Sequence, residues 1–130
     1  MKDLKCLEEL VLTVHIEILG DLSVVECEGR IVRSEAVFKL RKALMSQVAA
    51  RVIVLDLSEV NAIGGGGVGM LVFLQRWARD HDIRLKLFSP SRSVVDGLER
   101  HHAIRSFEIP SLREMMTLLA DADSHYSPAA

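Results

Sequence analysis

The chain has 130 residues, nearly half of them apolar and about a quarter charged, with a formal net charge of -2. That is enough for one domain with a single core, and too ordinary a composition for a disordered chain. The near-neutral balance, with both signs mixed along the sequence, supplies no basic field for nucleic acid.

The start, Met1 to Glu9, carries charges where a signal peptide needs an apolar run, and no apolar stretch approaches the ~20 residues of a spanning helix. A cytoplasmic protein is expected, with residues 1–9 as a lead-in, 10–120 as the domain and 121–130 as a flexible tail. Cys6 and Cys27 sit in no metal or redox spacing. Cys27 alternates with Val25 and is read as a small buried hydrophobe whose thiol burial makes inert.

Leu12, Val14, Ile16 and Ile18 interleave with Thr13, His15 and Glu17, which predicts a strand with one wet face. Gly20-Asp21 turns the chain into a second strand, Ser23 to Glu28, ended by Gly29. His15 is expected to pair across the hairpin with Glu26 or Glu28. Ser34 reads as the N-cap of a helix whose inner face is Val37, Leu40, Leu44 and Val48.

Val52 to Leu55 is an apolar, β-branched run of the kind that fills the middle of a sheet. Ser58 to Ile63 then reads as a polar turn, followed by four consecutive glycines, Gly64 to Gly67, where a helix should begin. Each glycine costs roughly 1 kcal/mol against alanine in a helix, so a run of four at this junction asks for a reason. The helix is expected from about Gly67 to Arg79, with Met70, Leu71, Leu74, Trp77 and Ala78 inward and Val68 and Val72 outward. A strand at Arg84 to Phe88 completes a right-handed parallel crossover. Ser89-Pro90-Ser91 breaks the chain before a helix from Ser93 to His101, a short strand lies near Ser106 to Ile109, and a last helix from Pro110-Ser111 has Leu112, Met115, Met116 and Leu119 as its inner face.

Three chemistries compete for the glycine junction. Gly64, Gly66 and Gly69 satisfy G-x-G-x-x-G, a nucleotide cradle, yet Ser58 to Ile63 separate them from the strand, and Val68-Gly69 stand where a P-loop needs Lys and a hydroxyl. Ser58 has no neighbouring base to activate it. His101-His102 with Glu99 cannot easily face one metal ion, since adjacent helical residues diverge by about 100°. Two readings remain open: a tight turn entering the helix with a neighbouring loop over Val68 and Val72, or a bare, apolar docking surface of Asn61, Gly64, Gly65, Gly66, Gly67, Val68 and Val72, flanked by Arg30 and Arg33 to meet an acidic partner. No catalysis, cofactor or metal is expected.

Leu55-Asp56-Leu57-Ser58, Val60, Ile63 and Gly67-Val68-Gly69 resemble the signature of the STAS family, the domain of anti-sigma factor antagonists and of sulfate-transporter tails. Gly29, Ser89-Pro90 and the closing Ala103-Ile104-Arg105-Ser106-Phe107-Glu108-Ile109 extend the resemblance over about residues 10 to 120. It implies an α/β fold with a mixed four- to five-stranded sheet and helices mainly on one face. It also implies a regulatory partner such as an anti-sigma factor or kinase-like protein, with a homodimer possible. In the family's pattern an Asp falls on Gly64, the phosphorylated Ser on Gly65 and a further hydroxyl on Gly66. Gly65 cannot accept a phosphate, so a binder without the usual switch is expected. A transporter accessory or ligand-sensing subunit is the alternative.

Overall fold

The computed structural model describes residues 12–125. Cys6 and the stretches 1–11 and 126–130 lie outside them. The elements are β1 (Thr13–Leu19), β2 (Leu22–Ile31), α1 (Ser34–Met45), β3 (Val52–Ile63), α2 (Gly65–Asp80), β4 (Arg84–Phe88), α3 (Arg92–Arg100), a 3-10 turn (Ile104–Ser106) and α4 (Leu112–His125). One sheet runs in the order β1-β2-β3-β4. The hairpin β1-β2 is antiparallel, and β2-β3 and β3-β4 are parallel.

The alternation of side chains divides the sheet into two faces. Val25, Ile53, Leu55, Leu57 and Val60 lie in one cluster with Leu40 and Leu44 of α1, Leu71 and Leu74 of α2, and Val94 and Leu98 of α3. Leu22 and Val54, from the opposite face, join Met115 and Ala122 of α4 in a second, smaller cluster. Three helices therefore cover one face and α4 covers part of the other.

Several boundaries depart from expectation. Ser58 to Ile63 is not a turn, because β3 continues to Ile63. Its inward residues Leu55, Leu57, Val60 and Ile63 are spaced two, three and three apart. Two register shifts against β2, at Glu26/Glu28 and at Gly29/Arg30, absorb the extra residues and keep all four on the helix side. Gly29 does not end β2 but lies within it at φ 121°, at the second shift, where glycine's freedom is used.

Ser34 is not a cap: Arg33 holds the N-cap position of α1 and no side chain bonds there. Val48 falls beyond α1 and is exposed. The short strand near Ser106 to Ile109 reduces to one bridge, Lys86 with Glu108, preceded by the 3-10 turn. In α4, Met115 is buried and Leu119 packs against the second cluster, whereas Leu112 and Met116 are exposed. The same helix runs on to His125, past the boundary expected at residue 120.

Candidate functional site

The glycine junction begins at the carboxyl end of β3. Gly64 is the N-cap of α2, with extended backbone and no side-chain hydrogen bond, and its amide donates to Ile31 O at 3.0 Å. That bond ties the helix start to the end of β2. The carbonyl of Gly64 accepts from Val68 N at 3.0 Å, opening the helical ladder. The amides of Gly65, Gly66 and Gly67 therefore have no partner within the helix, and no acidic side chain stands in the first turn.

The four glycines have different reasons to be there. A Cβ on Gly67 would lie 2.7 Å from Ile31 O and 2.7 Å from Ile63 Cγ1, so this position must be bare for α2 to sit against the strands. A Cβ on Gly64 would meet only Val32, at 3.8 Å, and one on Gly66 or Gly69 would meet nothing within 4 Å. On Gly65 it would stand 3.5 Å from His101 Cε1, an ordinary contact. None of Gly64, Gly65 and Gly66 has a positive φ. Packing explains Gly67; neither packing nor backbone conformation demands the other three.

Around this end, Asn61, Arg30 and Arg33 are exposed, with Arg30 beside Ala62 in the sheet register. Val68 and Val72 do not form the expected outer platform. Val68 is 3% exposed, with its Cγ2 3.6 Å from where a Gly97 Cβ would lie, and Val72 is half-buried against the same core. The side of α2 on which they were placed is occupied by α3 and the 3-10 turn, to which Gln75 Nε2 donates at Ser106 O, 2.9 Å away. The exposed apolar groups nearby are instead Val32, touching the Gly64 position, and Phe73, whose ring Arg41 caps at 5.4 Å.

His101 is the neighbour that linear reading missed. It caps the C-terminus of α3, which the fold brings beside the start of α2, so that its ring stands next to Gly65. Among the described residues, no group of three or more His, Cys, Asp or Glu is arranged to hold a metal ion.

The remaining singled-out residues lie elsewhere. Ser58 is not in the glycine junction but in β3, where its Oγ and amide both donate to Asp56 Oδ1, at 2.7 and 2.9 Å. With Thr13, His15, Glu26, Glu28, Asp56 and Glu59 it lines a shallow polar cavity of about 90 Å³ on the sheet. His15 stands opposite Glu26 as expected, yet its hydrogen bond goes along its own strand to Glu17 Oε1, at 3.3 Å. Cys27 is buried, and desolvation first, with the charge of Asp56 second, pushes its thiol up to about 12. Ser91 is the N-cap of α3, accepting from Val94 N and donating to Val60 O.

The nucleotide reading loses one objection and meets another. Since β3 reaches Ile63, the glycines do follow a strand immediately. The strand order β1-β2-β3-β4 has no reversal, however, and α1 and α2 lie on the same face, so the crevice that such cradles open onto is not formed here.

A search of curated proteins finds no match. Among solved structures, the unphosphorylated form of the anti-sigma factor antagonist SpoIIAA superimposes with a TM-score of 0.68 at 16% identity, covering 84% of this chain and 97% of that one. An anti-sigma factor antagonist from Mycobacterium paratuberculosis gives 0.69 at 20% identity, with 85% and 95% covered. The structure of SLC26A9 gives 0.67 at 11% identity, covering 95% of this chain but 27% of that one. These likenesses establish the fold. The sequence model of the STAS domain matches residues 13–115, taking in the hairpin, β3, the glycine junction and the start of α4. The chain belongs to the STAS domain family.

Proposed function

We propose that this domain is a non-enzymatic, cytoplasmic interaction module that binds a regulatory protein, of the anti-sigma factor or kinase-like kind, through the N-terminal end of α2 and without a serine switch there. The observation that carries the reading is the freedom at Gly64, Gly65 and Gly66: each has room for a side chain and none has one. A bare helix start lets a partner's backbone approach the free amides closely. Asn61, Arg30 and Arg33 stand exposed at the rim. Val68 and Val72 contribute by packing behind this surface rather than by facing the partner.

The test is incubation of the domain with a kinase-like anti-sigma factor from its genomic neighbourhood and ATP, followed by mass spectrometry and a binding titration. Binding without phosphate on residues 61–72 is expected. Phosphate on Ser58 or Ser91 would show that the switch has moved. Ser91 would have to give up its hydrogen bonds to accept one, whereas Ser58 is exposed.

The similarity to SLC26A9 across nearly the whole of this chain supports a second reading, an accessory or ligand-sensing subunit of a transporter system. A transporter ATPase co-purifying in place of a kinase-like protein would favour it.

A further inference from the structure

We propose that the outer face of the α1–α2 pair is a docking strip for an acidic amphipathic helix of a partner protein. This rests on the reading of the chain as a protein-binding module, but it uses residues that reading does not. Three large apolar side chains line the strip while remaining open to solvent: Val32 at 46%, Phe38 at 59% and Phe73 at 44%. Three such groups along one seam are more than the scattered apolar residues of an ordinary surface.

The helix pair fixes their alignment. Val32 approaches the start of α2 at Gly64, and Arg41 of α1 lies over Phe73 of α2, so the two helices run side by side in the same direction. Phe38 precedes Arg41 by one turn on α1 and belongs between those two contacts. At about 100° per residue, Gly66 and Gly69 share the side of α2 that carries Phe73, and neither has an atom within 4 Å of its Cβ position.

Charge selects the occupant. Arg33, Arg41, Lys42 and Arg76 are exposed around the strip, against one carboxylate on each helix, Glu35 of α1 and Asp80 at the end of α2. Among the described residues, none of these four cations takes part in an ion pair. A helix with apolar residues along one stripe and Glu or Asp on its flanks would bury the former on Phe38 and Phe73 and meet the latter with the cations. An anionic membrane is the poorer fit. The chain's net charge is -2, and a membrane would not select the apolar stripe with acidic flanks that these groups fit.

Two synthetic helical peptides test this, one with a Leu stripe flanked by Glu and one with every Glu replaced by Lys, titrated into isotopically labelled domain. The Glu peptide is expected to shift the amides of Val32, Phe38 and Phe73, and to bind more weakly as salt is raised. Phe38→Ser and Gly69→Gln, both at open positions, should each leave the domain folded, Gly69→Gln somewhat more stable, and weaken that binding, Phe38→Ser by roughly tenfold. The proposal is overturned if neither peptide binds, if the Lys peptide binds equally well, or if the shifts map elsewhere. Binding to phosphatidylglycerol vesicles in place of the Glu peptide would overturn it in favour of a membrane. Failure here leaves the proposed function standing, since that is read from a partner's response at Gly65, outside the Phe38–Phe73 contact.

Discussion

At the scale of single residues, the glycine run divides into one structural position and three open ones, and stability measurements can separate them. Gly67→Ala should cost about 1–3 kcal/mol, because its Cβ would press on Ile31 O and Ile63 Cγ1 and force the helix off the strands. Gly69→Ala, inside the helix and facing open space, should instead stabilise by about 1 kcal/mol through helix propensity alone. Denaturant unfolding of the two variants side by side measures the contrast. Equal effects would mean that the run serves the backbone as a whole. Gly65→Ser should unfold almost as the wild type does, since His101 is met at ordinary distance. A loss well beyond ~1 kcal/mol there would place Gly65 among the structural glycines.

At the scale of elements, α2 shows where periodicity informs and where it misleads. Its inward stripe of Leu71, Leu74, Trp77 and Ala78 was legible because one helical face is apolar. Val68 and Val72 were misplaced because a second helix buries a flank that no wheel of α2 alone can reveal. Val72→Asp should therefore lower the melting temperature, by roughly 2 kcal/mol or more of lost stability, as a carboxylate enters a half-apolar site. An unchanged melt would return Val72 to the outer surface. β3 was half legible for a related reason. Val52 to Leu55 reads as a core strand, but the two register shifts break the period of two after Leu57, and a bulged strand then resembles a polar turn. The meeting of His101 with Gly65 is a contact between helix ends 36 positions apart, which no local pattern encodes.

At the scale of the whole molecule, charge is sorted by face. Cations gather on the α1–α2 side, while Glu26, Glu28, Asp56 and Glu59 lie around the part of the opposite sheet face that α4 leaves open. The edge strand β4 is tied to the chain before α4 by Lys86, nearly buried, which donates to Glu108. That hydrogen bond, with the charges of Lys86 and Arg84 adding and desolvation opposing, holds the Glu108 carboxyl below the usual carboxylate range. A lowered native value gives a stabilisation that is present above the unfolded-state pKa and lost as pH falls through the native one. Stability should accordingly decline on acidification, and Glu108→Gln should flatten part of that decline. The effect is modest because the Glu108 side chain is half exposed. An acid limb unchanged in Glu108→Gln would assign it to other carboxylates.

The central claim is that the start of α2 is left bare for a partner rather than for the fold. Its most direct test is the affinity of a kinase-like regulatory partner for the wild type and for Gly65→Glu, measured alongside the unfolding transition of each. The account predicts an unfolding transition at least as high as the wild type's, since the added side chain meets only the His101 ring at its base and a carboxylate suits a helix N-terminus, with binding weakened by roughly tenfold or more as that carboxylate is forced into the contact. Equal affinity for the two proteins, with both folded, would contradict it and place the partner on another face.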